Sequence, residues 1–351
     1  MSRIPPEFEV IVPEYRTAQY PADKRDSSRL LLVDRGNGLV EDIGTFRSLV
    51  EQVDGDLIVV NETRVLPANV TGHRPGGGEV SLLFLTTDGS SIDSGGEVSV
   101  LIKPGRRLRP ELRISLPAGA ALRLLGKDSE GRWRGIWSSG DGDESFLPWL
   151  ERHGAPPLPP YIKRKPEALD VQRYQTTYAR RAGSVAAPTA GLHFTRRLFN
   201  ELEARRCDIV KLTLDVGLGT FIPIRTDELA RHRMHEERYH IPAQTAESIN
   251  HARLSGRRVT VVGTTVVRAL EDAANEKLPL TGGERVADLF IHPPYNFKVV
   301  DRLLTNFHRP DSTLLQLVAA FIGWDLLNLA YQTALDEGYR FYSYGDAMLI
   351  I

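Results

Sequence analysis

The residues best suited to chemistry fall in a few short phrases. SVAAPTAGLHFT, Ser184 to Thr195, carries a single ionisable side chain, His193, behind a run of small residues. Thr189, Ala190 and Gly191 let backbone approach a flat ligand closely and offer N–H groups without steric cost. An imidazole there can serve as an acid or base near neutral pH, or can simply be a packed histidine. LLTNFHRPDSTLL sets Asn306 and His308 just before a helix capped by Asp311 or Ser312. These two can orient a ligand, pass a proton, or satisfy the loop's own backbone. RRVTVVGTTVVRALE runs a buried strand through Gly263 into Thr264 and Thr265, which open a helix. Open N–H groups at a helix start favour an anion by about 0.3–1 kcal/mol, and Arg268 follows one turn later. The Gly-Lys-Ser/Thr element of a Walker loop is missing.

Other polar phrases carry less specific signals. DLIVVNETR ends a strand on Asn61 and Glu62, where open α/β sheets often bind ligands. LDVGLGTF places Asp215, Gly217 and Gly219 after a strand, but Phe221-Ile222-Pro223 cannot supply the third glycine of a dinucleotide site. RHRMHEERYHIP gathers His232, His235 and His240 with Glu236 and Glu237. It lacks His-Glu-x-x-His spacing and nearby cysteines, so it reads as a polar loop rather than a zinc site. KPGRRLRPELR brings Lys103, Arg106 and Arg107 together, and YIKRKP adds Lys163 and Arg164. Such local charge suits a phosphate backbone, in a chain whose formal net charge is only −1.

The elements that must position these residues show two textures. From about Val65 to His153 the chain has strand-like runs between glycine and proline turns, the pattern of a small antiparallel barrel or sandwich. After the proline-rich HGAPPLPPYIKRKP, helices and strands alternate. Thr195 is placed to cap a helix, AQTAESINHARLSG reads as a helix closed by Gly256, and YRFYSYGDAMLII reads as two short strands about a Gly345-Asp346 turn. The fold class is therefore α/β, or multi-domain α+β. We expect a discontinuous α/β catalytic domain of residues 1–64 and 156–351, with an antiparallel β-barrel inserted at 65–155. One cysteine, Cys207, excludes an internal disulfide and fits a reducing cytosol. No apolar leader opens the chain, and STLLQLVAAFIGWDLL is too short and interrupted to span a bilayer, so it reads as a buried helix.

Together VVNETRVLPA, PPLPPYIKR, YQTTYA, GSVAAPTAGLHFT, LDVGLGTF, HEERYHIP, VGTTVVRALE, FKVVDRLLTNFHRPDSTLL and YRFYSYGDAML resemble the S-adenosylmethionine:tRNA ribosyltransferase-isomerase family of queuosine biosynthesis. The phrases cover nearly the whole chain in family order. The resemblance implies an α/β domain with an inserted barrel. It implies transfer and isomerisation of the ribosyl part of S-adenosylmethionine onto 7-aminomethyl-7-deazaguanine at the tRNA wobble position. Adenine and methionine would leave, giving epoxyqueuosine-tRNA. S-adenosylmethionine is then a co-substrate, with no true cofactor and no metal. The partner is tRNA with a GUN anticodon; no membrane is involved, and a cytoplasmic monomer is expected.

The resemblance also suggests roles. His193, His308 and Asp346 form the expected catalytic set. Thr189, Ala190, Gly191, Asp215, Gly217, Glu236, Thr264, Thr265, Arg268 and Asn306 would hold S-adenosylmethionine or the deazaguanine. Of these, Thr264, Thr265 and Arg268 suit the methionine carboxylate or ribose hydroxyls. Lys103, Arg106, Arg107, Lys163 and Arg164 would meet tRNA. The sequence departs from the family pattern at Pro293-Pro294, at Arg309 and at Asp215, which leaves the role of Asp215 open. Two other readings remain: a non-catalytic RNA-binding relative, and a family enzyme acting on a different RNA or nucleoside.

Overall fold

The computed structural model describes residues 5–85, 96–129, 131–140, 144–217, 234 and 236–351. A nine-stranded sheet forms its centre, ordered Gly283–Ala287, Glu237–Ile241, Asp208–Leu214, Leu57–Asn61, Val259–Val262, Arg302–Asn306, Ala347–Ile350, Arg29–Asp34 and Leu39–Thr45. The central strands are parallel. Leu57–Asn61 and Val259–Val262 are buried at every residue, because helices cover both faces of the sheet. Their near-continuous valine, isoleucine and leucine content follows from that double burial.

The second texture is a closed antiparallel barrel of six strands, from Asn69–His73 to Trp133–Ser138. Its strands alternate buried and outward residues, as in Glu79–Leu85, since side chains point to opposite faces with a period of two. Trp137, Trp149, Phe84 and Phe146 fill its interior. The chain leaves the central sheet at Asn61, passes through Thr63–Val65, and returns through Arg181–Ser184, which pairs parallel with it. The α/β sheet with a closed barrel between its strands is the fold class expected from sequence.

Local signals hold at the helix ends. The Thr195 hydroxyl accepts the Leu198 N–H at 3.1 Å and starts Arg196–Ala204. Gly256 takes the left-handed conformation just past Ala243–Leu254. Ser312 caps Thr313–Ile322. At Gly323 that helix turns by 112° into Trp324–Asp336, and no single helix among the described residues is long and apolar enough to cross a membrane. The C-terminus differs from expectation. Only Ala347–Ile350 is a strand, and the residues before it form a turn wound around Asp346. At Gly345 a Cβ would lie 2.4 Å from the Arg340 carbonyl oxygen, so the turn packs too tightly for a second strand.

Candidate functional site

The parallel strands end at one cleft of about 720 Å³, mouth included. This is where open α/β sheets bind ligands, because the chain splays apart beyond the carboxyl ends of the strands. Asn306 closes Arg302–Asn306 and lines the cleft. Its Nδ2 donates to the carbonyls of Tyr342 and Asp346, both at 3.2 Å, and lies 3.3 Å from His193 Nε2. Three acceptors around the amide nitrogen fix which way the amide points. Oδ1 is then left buried with no partner among the described residues. An orphaned buried acceptor costs about 1–3 kcal/mol, and this one belongs to a residue that lines the cleft.

His193 sits behind that amide, outside the cleft lining. It ends the short helical turn Thr189–His193, stacks on Phe46 at 4.8 Å, and places Nδ1 3.0 Å from Ser28 Oγ. Burial, and then Arg340, Arg25 and Arg173, disfavour its cation and push its pKa down to about 3. The ring is neutral at pH 7, and both nitrogens are engaged within the protein. Nε2 faces the Asn306 amide rather than the cleft lining. Ala190 and Thr189 do reach the cleft. Gly191 does not: a Cβ there would meet Tyr178 Oη at 2.1 Å, so glycine is required by packing.

His308 does line the cleft. Its backbone N–H donates to Tyr331 Oη at 2.7 Å, and its ring Nε2 lies 2.8 Å from Thr305 Oγ1. Thr305 Oγ1 also donates to the Asn306 carbonyl at 3.4 Å. Burial pushes this imidazole's pKa down to about 3 as well.

The opposite wall is a helix start. Gly263, at φ +91°, turns the chain from Val259–Val262 into Thr264–Glu276, and no side chain caps the new helix. Thr264 and Thr265 line the cleft there. Arg268 lies one turn in, buried, and pairs with Glu237. Glu237 Oε1 also accepts the Gly217 N–H at 2.9 Å.

Some expected site residues lie elsewhere. Asp346 is buried outside the lining, and its carboxylate takes the N–H groups of Arg29 and Arg340 at 2.9 and 2.8 Å. It holds the C-terminal turn. Asp215 accepts from Thr63 Oγ1 at 2.9 Å and packs against Gly183, where a Cβ would lie 2.5 Å from it. Burial raises its pKa. Asn61, read as a strand-end ligand group, clamps Leu214 N and O and Thr63 N instead. Glu236 is exposed, while its neighbour Glu237 faces inward. Gly219, His232 and His235 lie outside the described residues.

Among the basic residues, Lys103, Arg106 and Arg107 are exposed on the barrel, with no ion pair among the described residues. Lys163 is exposed and paired with Glu14. Arg164 is consumed internally. It bonds both oxygens of the fully buried Asp170 at 2.7 and 2.8 Å, donates to Gln19 O, and lies over the Tyr20 ring. It has no donor array left for phosphate.

Sequence reasoning missed three cleft groups. The rings of Tyr161 and Tyr342 pack at 5.0 Å, tilted by 50°, and the Tyr161 hydroxyl lies 2.6 Å from Ser343 Oγ. Burial pushes both phenols up to about 12, so both are neutral. Tyr342 has φ +73°, a left-handed conformation strained for a non-glycine residue, and such strain gathers at functional sites. No sequence signal marks it. The third group, Arg309 with Asp311, forms a two-pronged pair at 3.0 and 2.7 Å on the cleft wall.

The comparisons with known proteins agree with this architecture. The family described as queuosine biosynthesis protein matches residues 6–350. The chain belongs to this family. A relative from Pelobacter propionicus is 46% identical, and one from Citrifermentans bemidjiense is 45% identical, each over 98% of both chains. Both carry the name S-adenosylmethionine:tRNA ribosyltransferase-isomerase. The crystal structure of an S-adenosylmethionine tRNA ribosyltransferase from Thermotoga maritima is 30% identical. It superposes with a TM-score of 0.55 over 98% of this chain and all of that one. Within the queuosine biosynthesis family, the cleft described above is the candidate active site.

Proposed function

We propose that this chain transfers and isomerises the ribosyl moiety of S-adenosylmethionine onto 7-aminomethyl-7-deazaguanine at the tRNA wobble position, releasing adenine and methionine. The observation that carries the reading is the Asn306 amide, which lines the cleft and is held by His193 and two carbonyls with its buried Oδ1 left without a partner among the described residues. A substrate with a donor-bearing edge satisfies it. The paired rings of Tyr161 and Tyr342 give a face for a flat base or a sulfonium cation.

The reaction needs two kinds of proton help. Adenine leaves well only when a ring nitrogen is protonated or strongly hydrogen-bonded. A base must also take a proton from the sugar carbon beside the sulfonium, which the cation acidifies. Each such group contributes about 10²–10⁴-fold. His308, which lines the cleft, is the group we place in proton transfer. His193 becomes a positioning residue, and Asp346 an anchor of the turn that carries Tyr342. Thr189, Ala190, Thr264, Thr265 and Asn306 contact substrate.

The acceptor is tRNA with a GUN anticodon, met by Lys103, Arg106, Arg107 and Lys163. We place the boundaries of the inserted barrel at 65 and 155, and read the protein as a cytoplasmic monomer that needs no metal. The test is adenine release. Protein with S-adenosylmethionine and tRNA bearing the deazaguanine should liberate adenine, and His308→Ala should slow it by about 10²-fold or more. Turnover by His308→Ala at the wild-type rate would remove His308 from the chemistry. No adenine from the wild type would refute the activity.

A further inference from the structure

Among the described residues, Arg309 and Asp311 carry the only full charges on the lining of the main cleft, since burial keeps His308 neutral. The turn that carries them is built locally. The Arg309 carbonyl accepts the Ser312 N–H at 3.1 Å and the Ser312 hydroxyl at 2.7 Å. Pro310 is the second residue of that turn, where its fixed φ is favoured. It also restricts the backbone of Arg309 before it. Ser312 caps Thr313–Ile322, so Asp311 is not needed as the cap and holds the guanidinium instead.

The way it holds the guanidinium matters. Asp311 accepts from Nε and Nη2, the side-on edge, at 3.0 and 2.7 Å. A guanidinium has five N–H donors in a fixed plane. Its end-on edge, Nη1 with the second Nη2 hydrogen, has no hydrogen-bond partner among the described residues. The Arg309 side chain is 35% exposed and that of Asp311 only 8%, so the carboxylate lies inward and the guanidinium lies toward solvent. Burial raises the phenols of Tyr161 and Tyr342, and the Arg309 cation acts against that rise in both, which puts it beside the two rings. An arginine fixed at its backbone and along one edge loses little freedom when a second partner meets the other edge.

An enzyme that works on a base within RNA takes that base out of the stack and into a pocket. The phosphates on either side of the nucleotide then stay at the pocket's mouth. Two parallel N–H donors match two phosphate oxygens. We infer that Arg309 reads the phosphate that flanks the modified nucleotide, its end-on edge holding one phosphodiester at the cleft mouth while the base enters. The inference rests on the activity proposed above, which puts an RNA base in this cleft. Asp311 offsets part of the charge, so the contact depends on the planar donor pair more than on bare attraction. Arg309 is a specificity-determining residue that selects a nucleotide within a chain over a free base.

The test measures binding, by fluorescence anisotropy, of an anticodon stem-loop RNA bearing the deazaguanine. The phosphates before and after that nucleotide are replaced one at a time by neutral methylphosphonates, with one stem phosphate replaced as a control. In the wild type, one of the two flanking replacements should weaken binding by about tenfold, the worth of a charge-assisted hydrogen-bonded contact. Arg309→Leu combined with Asp311→Asn strands no buried carboxylate. This protein should bind the unmodified RNA about tenfold more weakly, and should lose less than about twofold more from the same replacement. Arg309→Lys keeps the charge without the planar donors and should still lose most of that affinity. Equal losses in wild type and variants at both flanking positions would overturn the assignment. So would variants that weaken S-adenosylmethionine binding alone, since the edge would then serve the methionine carboxylate, and so would a wild type that does not bind the RNA. Binding is read without turnover. A wild type that binds RNA but releases no adenine would refute the activity and leave the phosphate contact to be decided by the comparison of losses.

Discussion

Replacing His193 by asparagine should flatten the protein's acid sensitivity in a defined window. An unfolded histidine titrates near 6.5, and the folded ring is held at about 3. The unfolded chain therefore binds more protons between these values. The stability that this neutral ring contributes is fully present above pH 6.5 and is lost as pH falls toward 3. Each unit inside the window is worth about 1.36 kcal/mol, so from pH 7.5 to pH 5 this one ring removes about 2 kcal/mol. Stability is measured by urea unfolding at both pH values. The variant starts less stable, because Asn306 and Ser28 lose a partner, but it should lose about 2 kcal/mol less than wild type on acidification. Every other titrating group is common to both proteins and cancels, His308 included. Equal losses in the two proteins would show that the ring is solvated or charged in the fold, and would refute its role as a neutral brace.

Other outcomes follow from the same geometry. Asn306→Leu removes the orphaned acceptor and should lower kcat by about 10²-fold with a much smaller change in the KM for S-adenosylmethionine, measured by steady-state adenine release. Arg164→Met strands the buried Asp170 carboxylate and should cost about 3–5 kcal/mol in denaturant unfolding, with no change in the salt dependence of tRNA binding. The triple change Lys103→Gln, Arg106→Gln, Arg107→Gln should do the reverse. Thermal stability should hold, while the slope of log affinity against log salt should flatten by about 2–3; an unchanged slope would take the barrel out of the tRNA interface.

Much of the fold was legible because it follows from local rules. The shift from period-two strands to alternating helices and strands marked the barrel and the sheet. Thr195, Gly256 and Ser312 act as the helix-end signals their chemistry suggests. The candidate site was legible in position more than in role. The phrases holding Asn306, His308, Thr264 and Thr265 do meet at one cleft. What a ring nitrogen touches depends on packing from distant segments. Phe46 and Ser28 turn His193 from the cleft, and Gln19 and Asp170 absorb Arg164. Glu237 could have been found. In Glu237–Ile241 the inward positions are Glu237, Tyr239 and Ile241, so the period of two selects it over Glu236. Tyr161 and Tyr342 could not, since their meeting joins segments far apart in the chain.

Isotope labelling tests most directly whether the sugar, rather than the methyl group, of S-adenosylmethionine reaches the RNA. Two preparations of S-adenosylmethionine, one labelled in the ribose and one in the methyl group, are each incubated with the protein and tRNA bearing the deazaguanine. The ribose label should enter tRNA in step with free adenine, and the methyl label should end in methionine. Methyl label on the tRNA, or ribose label that never leaves the adenosine, would contradict sugar transfer.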